Sequence, residues 1–431
     1  MGPLAPFYVH SMRSLLLTLT ILWLGVLPAR GNYLLLPMDE GQTDHLKAYG
    51  MAYWVLAQQV EVEWLLNYRG GSFAFRSLPT FQEELRIRGI RFETVSTAAY
   101  TDLLAQITAE GTNTDMVKLE KAPKIAVYSP KSNQPWDDAV TLVLTYAEIP
   151  YDVVYDGEIL EGKLKDYDWL HLHHEDFTGQ YGKFYANYHT FPWYREQVAE
   201  LEGLAAKYGF GKVSQLKLAV AKTIKDFCTN GGFLFAMCSA TDSYDIALAA
   251  EGTDICEVMF DGDAMDPQAQ KKLDYSRTLC FHNFRLEANP YVYEYSDIDM
   301  TNKRAGVTQS NDFFSLFVFS AKWDPVPTML CQNHTTTIKG FMGQTTSFDK
   351  RLIKPEVLVM GEMKLTGEAR YVHGNLGRGM WTFYGGHDPE DYQHLVGEEP
   401  TDLSLHKNSP GYRLILNNIL FPAAKKKKQK T

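Results

Sequence analysis

The chain has 431 residues, 45 % of them hydrophobic, so it is long enough to form two or three domains with full apolar cores. Its formal net charge of −10 at pH 7 argues against a nucleic-acid-binding protein, because phosphate contacts need clustered Lys and Arg. The lysines at 425–428 and 430 form a basic cluster, and we interpret residues 425–431 as a solvated basic tail.

The N-terminus has the pattern of a secretory leader. Arg13 precedes the apolar stretch LLLTLTILWLGVL, and the segment Pro28-Ala29-Arg30-Gly31 then supplies small residues three positions apart. This pattern predicts a signal peptide over residues 1–31, cut after Gly31, and hence an exported, periplasmic or extracellular protein. The apolar stretch is short for a membrane span, so we expect no stable span after the leader is removed. A retained membrane anchor is the alternative.

Residues 32–120 alternate between strand and helix patterns, which predicts an N-terminal α/β unit. The two glycines at 70 and 71 mark a turn after a strand. Strand patterns lie at 33–37, 60–68 and within IRFETV, and helix patterns lie within DHLKAYGMAYWVLAQ, at 80–89 and at 99–111. The polar segment GTNTDMVKLEKAP then has the composition of a linker.

A second α/β series occupies residues 121–251. Its strand patterns are near-continuously apolar and alternate with helices, which indicates a parallel sheet covered on both faces. The predicted fold class is therefore α/β, with a flavodoxin-like, mostly parallel sheet. We expect a β-rich insertion over 252–350, followed over 351–424 by late strands at 356–360 and 378–386 and a closing helix at 412–420.

The stretch GFLFAMCSATDSYD places Cys238 between an apolar strand and a helix. Such a turn lies at the carboxyl end of a parallel sheet, where open α/β folds bind ligands. Ser239 and Asp242 match a capping box, so the helix should begin directly after the cysteine, and its dipole favours a thiolate. The carboxylate of Asp242 opposes that charge. We predict that Cys238 is a nucleophile, and a buried inert thiol is the alternative.

A candidate base follows the late strand. His387 comes after two glycines, with Asp388 and Glu390 close behind it, and a histidine oriented by a carboxylate is what a nucleophilic cysteine requires. The alternative is a plain polar turn.

The segment HLHHED is rich in potential ligands. His171 and a second histidine two residues later point to the same face of a strand, which could form a metal site, a pocket wall or a set of core histidines. We favour the pocket wall and assign no metal or cofactor. The expected substrate-binding residues are His173, His174, Glu175, Asp176 and Ser239.

This order of strands, with a cysteine after one strand and a histidine after a late one, resembles the class I glutamine amidotransferase-like superfamily. Residues 377–388 resemble its ThuA-like (trehalose-utilisation) branch. Over most of the chain, NYLLLPMDE, NYRGGSF, HLHHEDFTGQYGKF and GGHDPEDYQH resemble an exported Bacteroidetes family commonly labelled asparagine synthetase B. The chain lacks the cysteine after the initiator methionine and the SGGxDS loop of glutamine-using asparagine synthetases, so only the family name is carried over.

The resemblance implies an exported hydrolase of the amidotransferase type. Cys238 would attack an amide or ester carbonyl of a small molecule or peptide, His387 would move the proton, and Glu390 or Asp388 would orient His387. One alternative is a ThuA-like protein that binds or processes a carbohydrate or metabolite without thiol chemistry. The other is a non-catalytic envelope protein that binds a partner. The sequence does not indicate an oligomeric state.

Overall fold

The structure is a computed structural model. It describes residue 2 and residues 32–424, apart from residues 133, 325–328 and 331–333. The predicted signal peptide, except for residue 2, and the basic tail lie outside the described residues. Within the described part of the chain, no helix is both long enough and apolar enough to cross a membrane.

The N-terminal unit is built on an antiparallel sheet of five strands, ordered β4-β1-β3-β2-β5. The strands are β1 (Asn32–Leu36), β2 (Val62–Leu66), β3 (Ser72–Arg76), β4 (Glu93–Ser96) and β5 (Asp115–Leu119), and the helices are α1 (His45–Ala57), α2 (Pro79–Ile87) and α3 (Thr97–Thr108). The segment interpreted as a linker thus supplies β5. Gly70 is required at its turn, since its φ is +77° and a Cβ there would lie 2.1 Å from the Met38 carbonyl oxygen.

The second sheet has ten strands. Nine are ordered β11-β10-β13-β14-β15-β9-β8-β6-β7, and β12 pairs with β14. The strands are β6 (Ile125–Tyr128), β7 (Asp152–Val154), β8 (Trp169–Leu172), β9 (Phe233–Met237), β10 (Phe313–Leu316), β11 (Thr337–Lys339), β12 (Phe348–Asp349), β13 (Leu358–Met363), β14 (Glu368–Leu376) and β15 (Gly379–Tyr384).

The remaining helices surround this sheet or close the chain. They are α4 (Ala139–Tyr146), α5 (Asp156–Leu160), α6 (Tyr185–Tyr188), α7 (Pro192–Lys207), α8 (Val213–Thr229), α9 (Ala240–Ala249), α10 (Val258–Asp261), α11 (Ala269–Lys272) and α12 (Pro410–Leu420). The closing helix α12 packs against α1 and α4. Its Asn417 side chain accepts a 2.5 Å hydrogen bond from the Tyr49 hydroxyl of α1, so the N-terminal unit and the second sheet share one core.

The α/β class is confirmed, but the second sheet is mixed rather than mostly parallel. The strands β7, β6, β8, β9 and β15 run parallel to one another, and β14, β13, β10 and β11 extend the sheet from β15 in antiparallel pairs. A tight turn at Gly377 and Arg378 reverses the chain between β14 and β15. Strand β14 is buried along most of its length, so no alternation of polar and apolar residues marks it as an antiparallel strand.

The segment 252–350 holds fewer strands than expected: β10 to β12 are short, and YVYEYSDIDM forms no strand. Buried charges organise it instead. The guanidinium groups of Arg304 and Arg370 both bond Asp312, and Arg370 also donates to the Phe341 carbonyl oxygen at 2.6 Å. This network holds the loop 341–347 against the end of β15.

Candidate functional site

The predicted residues meet at one edge of the second sheet. Cys238 follows β9, His387 follows β15, and the histidine-rich segment begins in β8. These three strands are parallel neighbours, with β9 in the centre. Because parallel strands end at the same edge, the topology brings Cys238, His387 and His173 to one place.

Cys238 lies on a sharp strand-to-helix turn. Its φ is +53°, a left-handed conformation that costs energy for a residue with a side chain. The first turn of α9 holds this conformation, because the Thr241 backbone N–H and hydroxyl both donate to the Cys238 carbonyl oxygen, at 3.1 and 2.6 Å. The thiol is 1 % exposed and forms no disulfide with a described cysteine. A nucleophile on a strained elbow of this kind is typical of acyl-transfer enzymes.

The helix begins directly after the elbow, as predicted, but the capping box is not formed. Ser239 has helical φ and ψ angles, so its side chain cannot bond the first turn, and its buried hydroxyl has no hydrogen-bond partner among the described residues. Asp242 instead accepts a hydrogen bond from the Thr345 hydroxyl at 2.9 Å. Burial, reinforced by Asp299, raises the pKa of Asp242 well above its usual value. Its opposition to a thiolate is therefore weaker than expected from the sequence.

Asp138 orients two of the predicted histidines. It is the N-cap of α4, where one carboxylate oxygen accepts from the Thr141 N–H at 2.8 Å. The other oxygen lies 3.1 Å from His171 Nε2 and 3.1 Å from His173 Nδ1. Burial alone would raise the pKa of Asp138, but the two histidines hold it well below its usual value. One side chain thus starts a helix, is hydrogen-bonded to His171 and lies in ion-pair contact with His173.

His174 is held as a neutral ring. The Trp136 indole N–H, which can only donate, bonds its Nε2, so the neutral imidazole carries its proton on Nδ1. Burial, with His173 and His387 nearby, lowers the pKa of His174 well below its usual value. Its buried Nδ1 has no hydrogen-bond partner in the described part of the chain. This nitrogen is therefore a hydrogen-bond donor available to a ligand.

His387 lies in a stack of three imidazole rings. His173 is on one side, with ring centroids 4.4 Å apart, and His394 is on the other, at 4.7 Å. The carboxylate in contact with His387 is that of Asp137, whose Oδ1 lies 3.4 Å from His387 Nε2 and 3.2 Å from His394 Nε2. Burial would raise the pKa of Asp137, but His387 and His394 lower it.

The carboxylates proposed from the sequence to orient His387 have other partners. Glu390 lies 3.1 Å from His406 Nδ1, and Asp388 accepts a hydrogen bond from the Glu390 backbone N–H at 2.8 Å. The structure thus places Asp137, and neither of these residues, beside His387.

The two acidic residues of the histidine-rich segment support its loop. Asp176 accepts hydrogen bonds from the backbone N–H and hydroxyl of Thr178 and from the N–H of Gly182. The Glu175 backbone carbonyl oxygen accepts from the Ser243 hydroxyl of α9 at 3.0 Å, and burial raises the pKa of its side chain to about 7.

Gly343 links the thiol to the end of β15. A Cβ built on this glycine would lie 3.1 Å from Cys238 Sγ and 2.8 Å from the His387 backbone nitrogen. The loop is held there by the His387 N–H, which donates to the Met342 carbonyl oxygen at 2.9 Å. On the other side of Cys238, the His173 carbonyl oxygen accepts from the Ala240 N–H at 2.8 Å. Both histidines are therefore anchored beside the elbow.

Sequence reasoning missed four residues of the site: Trp136, Asp137, Asp138 and His394. The first three stand together as WDD in front of α4, and consecutive carboxylates at a helix N-terminus that follows a parallel strand were a usable signal. His394 is the last residue of the segment GGHDPEDYQH, seven positions after His387, and no strand or helix pattern there singles it out.

Four overlapping groups of side chains at this edge have the chemistry to hold a metal ion, with ligand atoms within 4.8 Å of one another. They are His173, His174 and His387; Asp137, His387 and His394; Asp138, His171 and His173; and Asp391, His394 and Glu398.

Comparisons with known proteins do not assign the chain to a family. No family model matches the sequence, and no curated protein matches it. Among solved structures, two cytoplasmic proteins from Salmonella typhimurium are 10 and 11 % identical, with TM-scores of 0.33 and 0.31; each match covers 70 % of this chain and all of the other. A GH42 beta-galactosidase, Gan42B from G. stearothermophilus, is 11 % identical with a TM-score of 0.26, and the match covers 62 % of this chain and 28 % of the enzyme. Likenesses this distant indicate no function.

Proposed function

We propose that this protein is a hydrolase that cleaves an amide or ester of a small molecule or peptide, with Cys238 as the nucleophile. The observation that carries the proposal is the left-handed backbone of Cys238 at the end of β9. Strain of this kind persists only where the surrounding structure enforces it, and it is concentrated at active sites. The imidazoles beside the elbow supply the acid–base groups that such a thiol needs.

The base that the geometry favours is His173 rather than His387. Its Nδ1 lies 3.1 Å from the Asp138 carboxylate. Neither ring nitrogen has a hydrogen-bond partner among the described residues, so Nε2 is open to the thiol and to a substrate. Its backbone is bonded to the first residue of α9, two positions after Cys238. His387 Nε2, by contrast, faces Asp137.

In the proposed reaction, His173 takes the thiol proton as the sulfur of Cys238 bonds to the carbonyl carbon. His174 donates its Nδ1 hydrogen to the oxygen that gains negative charge, as a neutral oxyanion donor. When the bond to the leaving amine or alcohol breaks, His173 returns the proton to that group. Water then attacks the thioester with His173 as base, which releases a carboxylic acid and the free thiol.

The test is labelling of Cys238 by an electrophilic amide analogue, located by mass spectrometry, followed by a screen of amides, esters and peptides. We expect Cys238→Ala to reduce turnover by at least about 10³-fold. The matched control is Cys228→Ala, which removes another buried thiol, far from the elbow in α8. Full activity in Cys238→Ala protein would exclude this mechanism.

A second candidate function is carbohydrate binding or processing without thiol chemistry. An aromatic wall beside His174 favours it: Trp136 stacks on Phe184 with centroids 5.1 Å apart and meets Trp193 edge-on at 5.4 Å. The partly exposed ring of Tyr293 continues this wall. This alternative predicts that Cys238→Ser leaves sugar-induced changes in tryptophan fluorescence intact while Trp193→Ala abolishes them. The convergence of the histidines and Cys238 argues against the third possibility, a purely non-catalytic envelope protein.

We further propose that the parallel strands β7, β6, β8, β9 and β15 form a flavodoxin-like core of the class I amidotransferase-like type. The cysteine after the central strand β9 and the histidine after β15 support this assignment. We also propose export by the leader at residues 1–31, as the sequence pattern indicates. N-terminal sequencing of the protein secreted by its host tests that proposal, and an intact N-terminus on a cytoplasmic protein would overturn it.

A further inference from the structure

Asp137, His387 and His394 form a compact group at the edge of the site. Each side chain is less than one-tenth exposed, and Asp137 Oδ1 lies 3.4 Å from His387 Nε2 and 3.2 Å from His394 Nε2. Two histidines and one carboxylate are a common ligand set of catalytic metal ions.

His394 lies between two carboxylates. Its Nδ1 lies 2.9 Å from an Asp391 carboxylate oxygen, and its Nε2 lies 3.2 Å from Asp137. A neutral imidazole has one donor and one acceptor, so it cannot donate to both carboxylates; a positive charge, on the ring itself or on a bound cation, is needed to satisfy both. Moreover, His394 Nε2 and Asp137 Oδ2 are buried without a hydrogen-bond partner among the described residues, although the two side chains are in contact.

A shared cation accounts for this arrangement. Ligands of a tetrahedral zinc ion, bound at about 2.0–2.1 Å, lie about 3.3 Å from one another, which agrees with the two distances to Asp137. Metal-bound histidines also give their other ring nitrogen to a carboxylate, the place that Asp391 takes beside His394. The overlapping group of His173, His174 and His387 fits less well, because His174 Nε2 already accepts from Trp136.

From this geometry we infer that Asp137, His387 and His394 bind one divalent transition-metal ion of the zinc class, with Asp391 orienting His394. Nitrogen and carboxylate oxygen donors without thiolate suit Zn²⁺ and its spectroscopic substitute Co²⁺. Three protein ligands leave a further position for water or a substrate oxygen, where the ion acts as a Lewis acid. The inference assigns His387 as a ligand, and it stands whether or not Cys238 is catalytic.

The experiment measures metal binding directly, independent of turnover. The purified full chain is stripped with a chelator, dialysed against Zn²⁺ and analysed for metal content, and Co²⁺ is titrated while visible absorption is recorded. We expect one equivalent of zinc and the absorption of tetrahedral cobalt. His394→Ala should abolish binding, and Asp391→Asn, which keeps all three ligands, should weaken it about 10–100-fold.

Two controls separate this inference from misfolding and from the proposed thiol chemistry. His189→Ala removes an exposed histidine in the turn after α6 and should leave zinc binding unchanged. Cys238→Ala should also bind one equivalent, so loss of activity with retained zinc counts against neither proposal. If His394→Ala unfolds, as judged by circular dichroism, Asp391→Asn decides the question. A chain that takes up no zinc, or whose affinity is the same in the Asp391→Asn protein, overturns the metal site.

Discussion

A single added methyl group at Gly343 tests how tightly the site is packed. The Cβ of Gly343→Ala would lie 2.8 Å from the His387 backbone nitrogen, 2.9 Å from the Gly386 carbonyl carbon and 3.1 Å from Cys238 Sγ. Two of these are backbone atoms of the turn after β15, which no side-chain rotation can move away. The φ of Gly343 is not in the left-handed region, so the cost comes from these contacts alone.

Relief of the clash requires the loop 341–347 or the His387 turn to shift. We therefore expect Gly343→Ala to lower the free energy of unfolding by about 1–3 kcal/mol, as over-packing does, and to slow electrophilic labelling of Cys238. The matched control is Gly203→Ala in α7, because a Cβ at this position has no neighbouring atom within 4 Å. This substitution should stabilise the helix by about 0.5–1 kcal/mol. Denaturant unfolding and labelling rates are the assays. A Gly343→Ala protein with wild-type stability and labelling would refute the close packing of the thiol against the His387 turn.

Three further variants probe the buried charges. Asp138→Asn keeps the α4 cap but loses the charge beside His171, so it should lower the free energy of unfolding by about 1–3 kcal/mol. Asp138→Ala also removes the cap and should lower it by about 1 kcal/mol more. Equal losses for the two variants in denaturant unfolding would contradict the capping role. Lys217→Met leaves the fully buried carboxylate of Asp156 without its cationic partner, so it should lower the free energy of unfolding by about 3–5 kcal/mol in the same assay. An unchanged free energy of unfolding would show that the two residues do not form a buried ion pair. Burial raises the pKa of Asp299 to about 7, so between pH 4 and 7 the folded state holds a proton that the unfolded state has released. The free energy of unfolding should therefore fall by on the order of 4 kcal/mol as pH rises through that window. The Asp299→Asn protein should lack this fall. If its free energy of unfolding depends on pH as the wild type does, other groups cause the pH dependence.

The elements predicted best from the sequence are those whose signal is local. The run GFLFAMC and the small polar residues after it indicate β9, the elbow at Cys238 and the start of α9, and all three are present. The closing helix, predicted at 412–420, runs from Pro410 to Leu420. By contrast, β3 and β5 were missed: SFAFR and DMVKL are five-residue segments of mixed polarity, which become strands only when neighbouring strands pair with them.

The site divides in the same way. Cys238 and His387 are identifiable because a residue directly after an apolar strand must lie at the sheet edge, whatever the remaining fold. The carboxylate partner of His387 cannot be identified from the sequence, because Asp137 lies 250 residues away along the chain. Only the parallel order of β6, β8, β9 and β15 brings the two residues together. Nearby carboxylates such as Glu390 are better candidates by sequence distance, yet the turn directs that side chain toward His406.

The sequence by itself determined the α/β class, the polar turns at the strand ends and the chemical inventory of thiol, imidazoles and carboxylates. These follow from periodicity and composition, which each short segment carries alone. Only the tertiary structure decided the mixed order of the second sheet, the left-handed φ of Cys238, the tautomer of His174 and the pairing of Asp137 and Asp138 with histidines. Each of those depends on contacts between segments far apart in the chain, where packing and desolvation select one partner from several with equal local propensity.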